Sequence, residues 1–329
     1  MKKTILATAI LLAGAANAAE VYNNEGTSVS LGGSFRGNTV IQDSDNVKFQ
    51  DAGSRFDIKA SKDVAEGVKA FGQMEVKYNG KSGDTLYINN AFVGLSHDVY
   101  GTVALGKQMG LNDDLVMNDF SYENGVYNED NALFGSDSED QLKYTKAFAG
   151  ATVVVSLMDQ DTYAIGGTYE VAGLTLGASY NIANDRVVTT EKEVLTVVGT
   201  NVVKTKVGTS VKTDNSTYIV GAKYSLDALT LGVQYQASEV GKEDFSAYGL
   251  GAHYQLGQAG VYAMYDVLDG KYDDAVIKGD GSIIVVGADY ELVKDVKAYI
   301  EFDSSDFDVD GKASSKSDEK VTIGGRVYF

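Results

Sequence analysis

From Gly173 onward the chain alternates apolar and polar residues with a period of two. Leu174, Leu176, Ala178 and Tyr180 interleave with Thr175, Gly177, Ser179 and Asn181. Leu229, Leu231, Val233 and Tyr235 interleave with Thr230, Gly232, Gln234 and Gln236, and Val296, Ala298, Ile300 and Phe302 with Lys297, Tyr299, Glu301 and Asp303. This is the period of a strand with two unlike faces, and each run has the length a tilted strand needs to cross a bilayer. Sixteen such runs start near Thr27, Gly53, Gly67, Leu86, Gly101, Glu139, Gly150, Thr162, Gly173, Ser216, Leu229, Phe245, Ala259, Gly281, Val296 and Glu319. Short connections (Ser96–Tyr100, Leu226–Ala228, Val293–Asp295) alternate with long ones (Asn38–Ala52, Met109–Ser138, Ile182–Asn215, Leu268–Asp280, Ser305–Asp318). Short turns on one side and long loops on the other predict an all-β fold, a 16-stranded antiparallel transmembrane β-barrel.

A soluble β-sandwich also alternates, so the end residues of the runs decide. Tyr169, Tyr180, Tyr224, Tyr235, Tyr254 and Tyr290 close the apolar faces. Amphipathic rings at strand ends suit the interfaces of a membrane. The chain has no proline, which fits a closed sheet in which every backbone N–H is paired.

The first 18 residues add a compartment. Met1-Lys2-Lys3, an apolar run from Ile5 to Ala16 and Asn17-Ala18-Ala19 read as an export signal peptide, residues 1–18, cleaved after Ala18. The remainder, 19–329, reads as one barrel domain. No later run approaches the length of a transmembrane helix. Cysteine is absent, which removes disulfides, thiolate chemistry and Cys-based metal sites. The formal charge of −18 argues against nucleic acid as a partner.

Catalysis finds little support. His97 falls at a short turn and His253 on a polar strand face, neither with a Ser or Asp constellation around it. No phosphate loop or zinc spacing is present. Asp306, Asp308 and Asp310 lack the distal Glu of a calcium loop and read as a solvated segment. No enzyme activity, cofactor or metal is therefore expected.

The stretch 109–138 has thirty residues and not one Lys or Arg, but carries Asp113, Asp114, Asp119, Glu123, Glu129, Asp130 and Asp137. Loops of this length in compact folds are functional or disordered. Folded into the barrel, its carboxylates would favour cations at a constriction; left outside, it would be an acidic surface loop. Inner faces carry both signs, with Arg55, Asp57 and Lys59 on one run and Lys69, Gln73, Glu75 and Lys77 on the next. Mixed charge there suits a wet lumen. The last run ends on Phe329, and closing it onto Thr27–Gly37 would remove both sheet edges.

With these features in place the chain resembles the general porins of the Gram-negative outer membrane, of the marine vibrio and photobacterium type. The resemblance rests on Ala19-Glu20-Val21-Tyr22-Asn23, Val29-Ser30-Leu31-Gly32-Gly33, Phe71-Gly72-Gln73-Met74-Glu75, Ala91-Phe92-Val93-Gly94-Leu95 and Leu105-Gly106-Lys107, in that order and spacing. It implies a homotrimer of barrels whose third loop folds inward to face a basic wall. By resemblance Asp119 and Glu123 match the acidic pair of that loop, and Arg55 and Lys107 match basic wall positions. Asn89 stands where a wall arginine is common, Asp137 falls near another, and Tyr122 replaces the usual proline of the loop. The basic wall therefore looks depleted, with Asn89, Asp137 and Glu75 as further pore-lining candidates. Phe329 matches the family's assembly signal.

The expected function is passive diffusion of ions and small hydrophilic solutes through the outer membrane, weakly cation-selective. Expected partners are outer-membrane lipid and lipopolysaccharide, two identical subunits and the barrel assembly machinery. The alternative is an adhesin or phage receptor acting through its long outer loops.

Overall fold

The computed structural model describes residues 18–42, 47–80, 85–123, 139–158, 161–198, 201–240, 243–270, 281–307 and 318–329. They form β1 (Ala19–Asn24), β2 (Thr27–Ile41), β3 (Val47–Asp51), β4 (Arg55–Ala65), β5 (Val68–Asn79), β6 (Thr85–His97), β7 (Gly101–Gln108), β8 (Glu139–Phe148) and β9 (Ala151–Leu157). The second half contributes β10 (Thr162–Val171), β11 (Leu174–Val198), β12 (Asn201–Leu226), β13 (Leu229–Val240), β14 (Glu243–Leu256), β15 (Ala259–Gly270), β16 (Gly281–Val293), β17 (Val296–Phe307) and β18 (Asp318–Tyr328). Sixteen of these close an antiparallel barrel: β2 pairs with β4, β4 with β5, and so on to β18, which returns to β2.

Strands β1 and β3 are additions to β2. Ala19 pairs with Leu31 on β1, while Tyr328 pairs with Ser34 on β18. The two chain-terminal strands thus lie end to end along β2. Between them Phe329 exchanges two main-chain hydrogen bonds with Gly33, at 2.9 and 3.1 Å. The closing strand therefore has no open edge where it meets the first, which removes the pairing template an exposed strand offers.

Hairpin chemistry sets the short-turn side. Glu25-Gly26, Ala149-Gly150 and Ala172-Gly173 each place two consecutive residues at positive φ. That is the two-residue turn whose twist matches the strands it joins, and its second position favours glycine.

The outer surface is the apolar face of the alternation. Ile300, Ile323, Val233 and Ile58 are exposed on it, while their chain neighbours Glu301, Thr322, Gln234 and Asp57 are buried on the inside. Tyr163 and Tyr169, Tyr218 and Tyr224, and Tyr248 and Tyr254 are exposed in pairs six residues apart. At a strand rise of about 3.4 Å these rings stand roughly 20 Å apart along each strand, the arrangement of two aromatic girdles flanking an apolar band.

Two expected connections are largely strand instead: Asn38–Ala52 holds the end of β2 paired with β3, from Gly37↔Asp51 to Ile41↔Val47, and 182–215 is the longer case. The segment 182–215 continues β11 and β12 in register from Arg186↔Thr213 to Val198↔Asn201. Strand β10 stops pairing at Ala183 and β13 at Asn215, so beyond them the two strands run as a ribbon about 40 Å long. The reason is compositional: Val187, Val188, Val194, Val202, Val203 and Val211 and the intervening threonines are β-branched, which favours extended backbone over loop.

Candidate functional site

Residues 109–123 of the third loop lie inside the barrel. The loop leaves β7, with its Met109 carbonyl accepting from Lys143 Nζ at 2.7 Å and Gln141 Nε2 at 3.1 Å. A single turn of 3-10 helix, Asp113–Leu115, follows. Leu111, Leu115 and Met117 then pack with Val154 and Ala164 of β9 and β10 into an apolar cluster on the lumenal wall, with Met158 beside it. Burying three large apolar side chains there contributes several kcal/mol, at about 1.5–3 each.

Polar groups hold the backbone to the wall beyond this cluster. Asn112 Oδ1 accepts from Ser179 Oγ at 2.7 Å and Asn181 Nδ2 at 2.6 Å. Gln234 Oε1 accepts the Met117 N–H at 2.8 Å, and Asn118 Nδ2 donates to Asp266 Oδ1 at 2.7 Å. The loop thereby crosses from β10 to β15 without leaving the wall.

Tyr122 and Glu123 reach β15 to β18. Glu301 accepts the main-chain N–H of both Tyr122 and Glu123, the latter at 3.1 Å, and the Tyr262 hydroxyl at 2.9 Å. Tyr122 stacks on Tyr299 at 4.5 Å between ring centroids, and the Arg326 guanidinium lies 4.7 Å from the Tyr122 ring. Glu123 Oε1 accepts from Tyr299 Oη at 2.7 Å and from Arg326 Nη2 at 3.1 Å. Asp119 sits earlier in the loop, where its Oδ1 accepts from the Ser121 N–H and hydroxyl at 2.8 and 2.7 Å. Burial pushes its carboxyl above the ordinary range, against those two bonds and the nearby Lys223, which pull it down.

The opposite wall is charged. Arg36 on β2 pairs in register with Arg326 on β18, and Arg55 stands on β4 within electrostatic range of both. Arg55 lies 3.9 Å from Glu75 and Lys59 lies 3.7 Å from Asp57. Asn89, at a register shift in β6, donates to Glu75 Oε1 at 2.7 Å. On the loop, Asp113 lies within electrostatic range of Arg55.

The sequence-derived candidates divide accordingly. Glu123 and Arg326 meet, and Arg55, Glu75 and Asn89 form one set on the inner wall. Lys107 pairs with Ala91 and shares its strand face with the exposed Val103 and Leu105; its Nζ donates to the Ile88 carbonyl at 2.9 Å. That register takes Lys107 out of the basic wall. Asp137 lies outside the described residues. The wall is also not depleted of arginine, because Arg326, Arg36 and Arg55 stand on the successive strands β18, β2 and β4. Arg36 is missing from the sequence-derived candidates, and Asp113 stands among them only as one of the acidic residues of 109–138. The signal for the loop's burial was present in Leu111, Leu115 and Met117, three large apolar residues in an otherwise acidic stretch.

His253 Nε2 lies 3.6 Å from Asp289 Oδ2 on the lumenal wall, with Phe120 and Tyr262 at 6.0 and 6.2 Å. Among the described residues no group of His, Asp or Glu is arranged to hold a metal.

Comparison with known proteins places this architecture. Residues 4–310 match the family model of the Gram-negative porins. The major outer membrane protein of Pasteurella multocida is 28% identical over an alignment 358 positions long, covering 100% of both chains. A monosaccharide porin of Halomonas is 26% identical, over 95% of this chain and 98% of that one. Among solved structures, in-vitro folded OmpT of Vibrio cholerae superposes with a TM-score of 0.76 at 19% identity, covering 94% of this chain and 100% of the other. A closed 16-stranded barrel, an exposed apolar belt and a polar lumen entered by the third loop agree with that match: the chain belongs to the Gram-negative porin family, whose members are non-enzymatic channels of the outer membrane.

Proposed function

We propose that this porin lets ions and small hydrophilic solutes diffuse passively through a constriction set by its third loop, with a weak preference for cations. The observation that carries the reading is a loop segment, residues 109–123, that has no basic residue and is held inside the lumen. Asp113, Asp119 and Glu123 bring carboxylates to the section narrowed by the loop, and the chain as a whole carries −18. The preference is weak because acids and bases come together: Glu123 with Arg326, Glu75 with Arg55, Asp57 with Lys59, Asp303 with Lys320. Solutes would pass between Asp113 and Asp119 of the loop and Arg36 and Arg55 of the wall. The name of the Halomonas relative suggests monosaccharides among the solutes of suitable size.

On the same reading the chain is exported by residues 1–18, cleaved after Ala18, assembled by the barrel machinery through Phe329, and works as a homotrimer among outer-membrane lipid and lipopolysaccharide. Planar-bilayer conductance and swelling of liposomes in sugars of graded size test the channel. Currents with a sharp size limit for sugars support it; a protein that inserts but conducts nothing would overturn it.

The ribbon of β11 and β12 supports a second, compatible role as an outer contact surface for a phage or another cell. Removing 187–212 should leave conductance near the parent value and abolish attachment; unchanged attachment would dismiss this role.

A further inference from the structure

The third loop does not lie on an ordinary strand surface. Gly177, Gly221, Gly232 and Gly251 stand on the lumenal faces of β11, β12, β13 and β14, and the register sets Gly177 opposite Gly221 and Gly232 opposite Gly251. Glycine in a strand interior weakens the strand and leaves no side chain to pack, so a run of them across four strands needs a reason. None of the four has a positive φ, so the backbone itself would accept any residue.

The reason lies in what a β-carbon would meet. At Gly232 it would collide with the Met117 carbonyl oxygen and stand 2.8 Å from the Asn118 Cα. At Gly251 it would collide with the Asn118 carbonyl oxygen and stand 2.9 Å from the Phe120 ring. At Gly221 it would meet the stem of the Met117 side chain, Cγ at 2.7 Å and Cβ at 3.1 Å. At Gly177 it would meet only side-chain ends, Met117 Cε at 2.6 Å and Leu115 Cδ2 at 3.0 Å. The four glycines thus form a trough, and the Met117–Phe120 backbone occupies it. Gln234 and Asp266, whose bonds to Met117 and Asn118 are given above, fix the loop at that depth.

We propose that this glycine trough sets the open area of the pore, by fixing how far the third loop stands from the arginine wall. Gly221, Gly232 and Gly251 are positioning residues: they touch the loop, not the solute. A side chain at any of them lifts the loop toward the axis by the depth of the trough it fills. The inference rests on the reading that the third loop forms the constriction.

The atoms struck rank the effects. Gly232→Ala and Gly251→Ala hit loop backbone, which cannot turn aside, and should lower single-channel conductance most, by roughly a factor of two, since flow follows the narrowest section. Gly221→Ala should lower it less, and Met117→Ala in the same chain should restore it by removing the Cγ in the way. Gly177→Ala should stay near the parent, because the Met117 terminus can swing clear. Gly72→Ala is a control, since its β-carbon would find its nearest neighbours at 3.5 Å.

The full chain, inserted in planar bilayers, is measured for conductance and for the largest neutral polymer that enters. In parallel Ser121→Cys, in a protein with no other cysteine, is reacted with a bulky thiol reagent. The expected result is lower current on labelling, the stated order of glycine variants, and rescue by Met117→Ala. Parent conductance and parent exclusion size for both Gly232→Ala and Gly221→Ala, with Ser121→Cys still blocked by its label, would overturn the trough while leaving the constriction intact. Unchanged current in labelled Ser121→Cys would overturn the constriction reading itself. Should Gly232→Ala fail to assemble, the Gly221→Ala and Met117→Ala pair decides by the presence or absence of rescue.

Discussion

The lumen has two unlike walls behind one uniform exterior. On β11 to β14 the inner face carries Gly177, Gly221, Gly232 and Gly251 where the third loop crosses it, with Gln234 among them. On β2, β4, β5 and β18 it carries Arg36, Arg55, Asp57, Lys59, Glu75, Lys77 and Arg326. Outside, both walls present the same apolar side chains, such as Val233 and Ile323. The difference teaches that alternation separates inside from outside, whereas the composition of the inner face records what that face meets. Where a wall receives protein backbone it gives up side chains at the points of contact and supplies a few hydrogen-bond partners beside them. A wall that faces the channel keeps its charges.

The largest effect should come from breaking what the walls share. Val233→Arg and Ile323→Arg each place a charge on the outer belt, and each should cost about 2–4 kcal/mol near mid-bilayer depth. Urea titration of the protein refolded in liposomes checks both. A large cost at one and none at the other would mean that the exteriors differ after all.

A smaller effect should follow from releasing the loop from its wall. Glu301→Leu leaves the Tyr122 and Glu123 N–H groups and the Tyr262 hydroxyl without their acceptor. Unmet buried donors cost about 1–3 kcal/mol each when they stay buried, so the loop tip should detach in preference. Open-channel noise should rise while barrel yield falls only slightly. Glu75→Leu on the arginine wall should leave the noise unchanged, because Glu75 bonds wall residues and not the loop tip.

The smallest effect is a pH dependence of selectivity. Burial raises the Asp119 carboxyl above the ordinary range near 3.9. As pH falls, Asp119 therefore gains its proton before a solvated carboxylate would, and its pull on cations is lost first. Cation preference should weaken earlier on acidification in the parent than in Asp119→Asn, where that step is missing. Matched pH profiles of reversal potential for the two would contradict the assignment.

Most of the barrel was legible because its signal repeats. Fifteen of the sixteen run starts lie within two residues of an observed strand start; the exception is Ser216, where β12 begins at Asn201. There the apolar alternation stops, since no apolar belt is needed so far from the bilayer, and the Val and Thr residues alone do not mark a strand. The short strands β1 and β3 leave no run of their own in the sequence, because both only extend the hydrogen-bonding of β2. The site was less legible. Lys107 and Arg55 are both basic residues near a strand end, and only the register shows that one points outward and the other into the lumen. The pairing of Glu123 with Arg326 joins residues two hundred positions apart, which no local pattern encodes. Gly177, Gly232 and Gly251 were visible on the inner face of the alternation, but their meaning depends on a loop that arrives from elsewhere in the chain.

The central claim is that ions pass between an acidic loop and an arginine wall, and reversal potential in a salt gradient tests it most directly. The parent channel should make the dilute side positive. Asp119→Asn with Glu123→Gln should move that potential toward zero, and Arg36→Gln with Arg55→Gln should move it further positive. Both shifts should fade as salt rises, since the screening length falls from about 8 Å at physiological ionic strength to about 3 Å at 1 M. A dilute side that is negative in the parent, or two double variants indistinguishable from it, would contradict the account.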